Sequence, residues 1–184
     1  MVPSLPAMPA YAAIPAVDEA FRRWVREEDP PAGLIPDSVS LEALRAAVEA
    51  VEPEARVHPI VTPAVEHSAL AAAVKVTKLV PGPLYTQLDI YVSSFGRLAH
   101  VVWESRATKQ QPDPTLAATA PNERAARVEA AVRRWLEEAG LALVALDEAR
   151  REVTVTDDSF YDGESYDITV FEVLFGMGYP ARQR

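Results

Sequence analysis

The alternation of apolar and polar residues predicts a β-hairpin over residues 84–105. Leu88, Ile90 and Val92 share one face, with more polar residues between them, which is the period of two expected of a half-buried strand. Gly96 favours a turn near the middle, because glycine readily adopts positive φ. The alternation resumes after this turn, so two antiparallel strands are expected.

A three- and four-residue spacing of apolar positions predicts a helix that ends before Pro53. Asp37, Ser38 and Ser40 are all residue types that can cap its N-terminus. Its apolar positions are Leu41, Leu44, Val48 and Val51.

A second helix is predicted from Asn122 to Ala139, with Pro121 suited to its first turn and Gly140 to its C-terminal cap. Its expected apolar stripe is Ala125, Val128, Val132, Trp135 and Ala139. Glu129 and Arg133 lie four residues apart in the favourable order for an ion pair.

The N-terminal region divides into two parts. Residues 1–15 are rich in proline and predict an extended arm. Pro15 can open a helix whose apolar face includes Phe21 and Trp24, and Pro30 ends it.

Residues 54–80 carry conflicting signals. The run from residue 55 to residue 61 predicts a short strand, which Pro59 restricts to a sheet edge. An alanine-rich stretch from Thr62 to Ala73 predicts a helix, and Val74 and Val76 predict a strand after it. Residues 107–120 are expected to form a loop.

Residues 141–146 form a short apolar run that predicts a strand. Two further strands are predicted, one around Val153 and one from Tyr166 towards Leu174, joined by a loop at 157–165. The alternative for 171–177 is a short helix, since its apolar residues also fit helical spacing.

Together these elements predict the α+β class: an antiparallel sheet, made of the 84–105 hairpin and the C-terminal strands, with helices packed on one face. Strands arrive in hairpins, which favours antiparallel pairing. A Pro-rich arm at 1–15 and a single domain at 16–180 are the expected organisation for 184 residues.

Charge is concentrated near the C-terminus. Residues 147–175 hold nine acidic and two basic residues, a formal −7 of the chain's −9. Such an acidic protein is not expected to bind nucleic acid or an anionic membrane, since both repel negative charge. A basic protein partner fits better, and the absence of cysteine suits a cytoplasmic protein without excluding other compartments.

The acidic loop and the strand after it supply the candidate binding residues. Carboxylates can pair with Lys or Arg, and aromatic rings can supply buried contact area. The candidates are Asp157, Asp158, Tyr161, Asp162, Glu164, Tyr166 and Asp167. The competing interpretation is a solvated loop that only keeps the protein soluble.

No cofactor or catalytic motif is apparent in the sequence, so none is expected. An EF-hand alignment on Gly163 places Phe160 and Thr169 at ligand positions that they cannot fill. An irregular metal site at Asp157, Asp158 and Asp162 stays open.

His100 and Glu104 would share one side of a strand and could form half a metal site. A partly buried, hydrogen-bonded histidine is the favoured interpretation.

The sequence therefore predicts a non-enzymatic interaction module, with an inhibitor of the immunity or antitoxin type as its concrete form. One alternative is a secretion-type chaperone, which would expose an apolar patch. Another is a small enzyme that uses the 157–167 loop, with or without a divalent metal.

Overall fold

The computed structural model of the protein describes residues 40–59, 70–80, 85–93, 96–108, 114–156 and 165–175. Predictions for residues 1–39, including the Pro-rich arm and the helix after it, lie outside these ranges. The elements are α1 (Leu41–Val51), β1 (Arg56–Pro59), β2 (Leu70–Thr77), β3 (Tyr85–Ser93), β4 (Leu98–Arg106), β5 (Thr115–Ala117), α2 (Glu123–Glu138), β6 (Ala142–Val144), α3 (Leu146–Ala149), β7 (Glu152–Thr156), β8 (Ser165–Thr169) and α4 (Val170–Phe175).

Six of these strands form one sheet, and the α+β class is confirmed. Strands β1 to β5 follow one another in sequence order with antiparallel pairing. Strand β6 adds to the far end of β4 in the parallel direction, with Leu98 opposite Ala142. The C-terminal strands β7 and β8 pair with each other as a separate two-stranded sheet, so they do not extend the main sheet.

The predicted central hairpin is confirmed as β3 and β4. Ile90 lies opposite Val101, and Leu88 lies opposite Trp103. All four side chains are buried in the same apolar cluster. Strand alternation therefore directs this set of residues to one side of the sheet, as the pattern predicted.

The first core lies between that side of the sheet and helices α1 and α2. Leu44 and Val48 of α1 are buried in it, as are Val128 and Val132 of α2. Trp103 crosses from the sheet and donates its indole N–H to the Glu129 carboxylate at 2.7 Å. The predicted stripes are confirmed in part. Val51 of α1 is exposed, and in α2 Leu136 is fully buried whereas Trp135 and Ala139 are only partly buried.

A second core covers the opposite side of the sheet. Tyr91 and Val102 alternate with the residues of the first core and therefore point the other way. Ala149 of α3 and the α4 residues Phe171 and Phe175 pack against them. The expected placement of all helices on one face is not confirmed, because β3 and β4 are buried on both sides and need two covering layers.

Both long helices begin at side-chain caps, of which Ser40 was a predicted candidate and Asn122 was predicted as a helical residue. The Ser40 hydroxyl accepts from the Ala43 N–H at 3.1 Å. The Asn122 side chain accepts from the Ala125 N–H at 2.8 Å, so α2 starts one residue after Asn122. Pro121 accordingly precedes the helix instead of lying in its first turn. Gly140 adopts a φ of +77° after α2, which glycine tolerates best and which confirms its role as a C-terminal stop.

Three segments differ from the sequence prediction. Residues 70–73 belong to strand β2 and pair with β3, although alanine favours a helix. Residues 115–117 form β5 within the predicted loop. Residues 170–175 form helix α4, so the helical alternative is correct there and the extended strand is wrong. In the first two cases pairing with an existing strand outweighs a weak local preference.

Candidate functional site

The acidic C-terminal region is a β-hairpin ribbon, here called the β7–β8 ribbon and defined by residues 152–156 and 165–169. Val153 lies opposite Ile168, and Thr154 lies opposite Asp167. The two predicted strands are therefore confirmed. The loop residues Asp157, Asp158, Tyr161, Asp162 and Glu164 lie outside the described part of the chain, so their binding role stays a prediction.

The two remaining candidate residues lie in β8. Tyr166 is paired in register with Val155, and Asp167 is exposed. Alternation places Asp167 on the same face of the ribbon as Glu152, which is also exposed. The other face carries Val153, which packs against the second core. The ribbon thus holds its apolar face on the protein and presents carboxylates on the opposite face.

Helix α4 begins at a capping box that the sequence analysis overlooked. Glu172 accepts from the N–H and the hydroxyl of Thr169, each at 2.8 Å, and the Glu172 N–H donates back to the Thr169 hydroxyl at 3.2 Å. The spacing Thr-x-x-Glu before an apolar run is the signal that predicts such a start. Glu172 is therefore held in a local structural role.

A similar local contact occupies Glu148. Its carboxylate pairs with the Arg151 guanidinium at 2.9 Å, three residues further along the chain. Glu148 and Glu172 lie outside the ribbon and are held in local contacts, so the count of acidic residues in 147–175 overstates the charge of this region that can face a partner. Glu152 and Asp167 are exposed members of that set within the ribbon.

The sequence analysis also missed a pair of buried carboxyl groups in the main sheet. Asp89 of β3 is 1% exposed and Glu104 of β4 is 6% exposed. Both alternate with residues of the first core, so they face the second side of the sheet. The signal that could have indicated burial is the apolar run of β4, Leu98–Trp103, which only His100 interrupts, since fully covered strands do not show clean alternation with solvent-facing residues.

Each of these carboxyls has hydrogen-bond partners. Gln87 donates its amide N–H to Asp89 at 2.9 Å, and Arg106 donates its Nε–H to Glu104 at 2.7 Å. Burial, reinforced by the neighbouring Glu104 carboxyl, raises the pKa of Asp89 to about 8. A perturbed acid can serve catalysis, but both groups are covered in this conformation and offer no access to a substrate.

His100 lies on the same side of the sheet and is completely buried. Its Nδ1 is 2.9 Å from the Val144 carbonyl oxygen. The ring centroids of Tyr91, Phe171 and Phe175 lie 6.3, 5.8 and 6.1 Å from that of His100. Burial lowers the pKa of His100 to about 4, and the weaker effect of the backbone hydrogen bond opposes this. His100 is thus a hydrogen-bonded core residue, as the favoured interpretation held.

Metal binding finds no support within the described ranges. No group of three or more His, Asp or Glu side chains there is placed to hold a metal ion. Glu104 forms its ion pair with Arg106, at 2.7 Å. The irregular site considered at Asp157, Asp158 and Asp162 lies outside the described residues.

None of the described helices is both long enough and apolar enough to span a membrane.

The fold and its acidic ribbon define an α+β protein built on a six-stranded sheet that is covered on both sides. No protein-family model matches the chain, and no curated protein or solved structure matches it either.

Proposed function

We propose that the protein is a non-enzymatic interaction module that binds a basic partner protein through the β7–β8 ribbon and the acidic loop between its strands. The observation that supports this is the polarity of the ribbon. Val153 is packed on the second core, while Glu152 and Asp167 are exposed on the opposite face. An inhibitor of the immunity or antitoxin type is the concrete form of the proposal.

The chemistry of recognition follows from charge and aromatic content. Carboxylates accelerate the encounter with a basic surface and pair with Lys or Arg after docking. The loop adds Asp157, Asp158, Asp162 and Glu164 to the exposed pair in the ribbon. Tyr161 would contribute the buried area that stabilises the complex, whereas the register of Tyr166 places it on the same face of the ribbon as Val153.

The described surface favours this function over a chaperone. A chaperone for unfolded chains needs a contiguous exposed apolar patch. Val51 and Tyr85 are the large hydrophobic residues with substantial exposure among the described ranges, at 39% and 47%. Two scattered side chains do not make a binding surface for an extended apolar segment.

The described residues also give little support to the alternative that the protein is a small enzyme. The acids with the strongest burial, Asp89 and Glu104, lie within the sheet and not in an open site. A catalytic carboxyl must come within hydrogen-bond distance of its substrate, which this conformation does not allow.

The test begins with affinity capture from cell lysate at low and moderate salt, followed by kinetic measurement with the captured protein. The test variant changes Asp157, Asp158 and Asp162 to Asn and Glu164 to Gln. The control changes Glu42, Glu49, Glu137 and Glu138 to Gln, which removes the same number of charges from exposed helical positions. Association of the loop variant should slow by about tenfold or more in low salt, since electrostatic steering contributes factors of this size.

The control variant should associate at nearly the wild-type rate, because its charges lie on α1 and α2. Equal slowing of both variants would show that only net charge matters and that the loop is a solubility feature. A third variant, Glu152→Gln with Asp167→Asn, tests the ribbon face itself. An unchanged association rate for this variant would remove the ribbon from the interface.

A further inference from the structure

Asp89 and Glu104 form a carboxyl pair enclosed between strands of the main sheet. Asp89 lies opposite Val102 on β4, and Glu104 lies opposite Gln87 on β3, so the two acids are diagonal neighbours on one face. Their residual exposure, 1% and 6%, leaves neither group in bulk water. The pair is unrelated to the β7–β8 ribbon and to the function proposed for it.

The surroundings of Asp89 favour a protonated carboxyl. Asp89 accepts from the neutral Gln87 amide at 2.9 Å, and no Lys or Arg of the described residues forms an ion pair with it. Glu104 instead pairs with Arg106 at 2.7 Å. A buried carboxylate without a cation is costly, so the neutral form of Asp89 is favoured beside the Glu104–Arg106 ion pair.

The positive charges near Asp89 and Glu104 offset the negative charge of this pair only in part. Lys75 on β2 lies opposite Asp89, but its influence on Asp89 is weaker than that of burial and of Glu104. His58 on β1 lies one strand further away, opposite Lys75. On α4, the carboxylate of Glu172 is engaged by Thr169. Among the described residues, Arg106 is thus the cation that forms an ion pair with this carboxyl pair, through Glu104.

We propose that the Asp89–Glu104 pair is a proton-dependent latch between β3 and β4, closed while Asp89 holds its proton beside the Glu104–Arg106 ion pair and weakened when alkaline solution removes that proton. Loss of the proton leaves two adjacent carboxylates in a region of low dielectric, where like charges repel strongly. The strand pairing around Gln87 and Glu104 is where the opening would begin.

The direction of the pH dependence follows from the two states. The pKa of Asp89 is raised from 3.8 to about 8 in the folded protein. The stabilisation is complete below the unfolded pKa and is lost as the pH rises through the folded value. His100 acts in the opposite sense below pH 6.5 and is neutral in both states above it. Between pH 6.5 and 8, Asp89 is therefore the one of these two groups whose protonation makes the stability of the fold depend on pH.

Denaturant unfolding between about pH 6 and about pH 9 tests the latch, because the unfolding constant should rise by about tenfold per pH unit up to about pH 8 and level off above it. The variant Asp89→Asn keeps a donor at this position without a titrating group, and its unfolding constant should stay nearly flat relative to the wild type. Glu49→Gln, an exposed change on α1, is the control and should follow the wild-type slope. Parallel curves for wild type and Asp89→Asn would overturn the proposal.

Carbon-13 NMR of the side-chain carboxyls of the intact protein gives a second test that needs no variant to fold. One carboxyl of the Asp89–Glu104 pair should remain protonated through neutral pH and titrate in the alkaline range. Its titration should coincide with changes in the amide signals of Gln87 and Glu104. Titration of both carboxyls below about pH 5, near their unperturbed range, would overturn the proposal even if Asp89→Asn failed to fold.

Discussion

Replacing Phe171 by alanine tests whether the second core fixes the C-terminal region to the sheet. Phe171 is completely buried on α4. Its ring lies 4.9 Å from that of Tyr91 in an edge-to-face arrangement, 5.2 Å from Phe175 and 5.8 Å from His100. No other part of the sheet's second side brings together so many of the described aromatic rings, so the substitution removes the centre of that cluster.

The expected loss follows from the removed contacts. Truncating a buried phenylalanine to alanine costs about 3–5 kcal/mol, which combines lost transfer free energy with a cavity. The edge-to-face contact with Tyr91 accounts for about 0.5–1.5 kcal/mol of stabilisation beyond that from the area the ring buries. Phe171→Leu keeps most of the volume and loses the rings' interactions, so its cost should stay below about 1.5 kcal/mol.

Equilibrium unfolding in denaturant, followed by circular dichroism and by tryptophan fluorescence, measures these losses. His100 supplies a local readout by proton NMR. If α4 is displaced in Phe171→Ala, water reaches the imidazole and the pKa of His100 should rise from about 4 towards 6.5. A destabilisation below about 1 kcal/mol with an unchanged His100 titration would refute the packing argument for α4.

Two further predictions concern other buried or capping groups. The pKa of His100 is lowered by burial, so its contribution to stability is complete above pH 6.5 and is lost as the pH falls towards about 4. An NMR titration should therefore find this ring neutral at pH 5.5, about midway between those limits, and a protonated ring there would contradict its enclosure. Asn122→Ala removes the acceptor for the Ala125 N–H and should cost about 1 kcal/mol of unfolding free energy. Asn122→Asp keeps that acceptor and is the control; equal losses in both variants would show that the cap contributes nothing.

The sequence alone determined the elements whose signals are local. Helix α1 and helix α2 follow from apolar spacing, and Ser40, Asn122 and Gly140 mark where they begin or end. The β3–β4 hairpin follows from strict alternation. In each case the information lies within one segment, because capping and periodicity depend on residues a few positions apart.

The strands of the β7–β8 ribbon could also be predicted from local sequence patterns. Its two strands were identified from the alternation around Val153 and Ile168, and Asp167 is exposed as a binding residue must be. The spacing of Thr169 and Glu172 predicts the start of α4, but the alternation of apolar residues from Tyr166 towards Leu174 favoured a continued strand. The binding role of the acidic loop stays a prediction.

Tertiary structure decided what covers each surface. Leu70 to Ala73 became strand because β3 offered a pairing edge, and β6 joined β4 in the parallel direction after a helical crossover. The face that carries Asp89 looked polar in the sequence, yet α3 and α4, which follow about 60 residues or more later in the chain, contribute to a core on that side of the sheet. Burial and the pKa of a carboxyl depend on which distant segments exclude water, and that information is absent from local spacing.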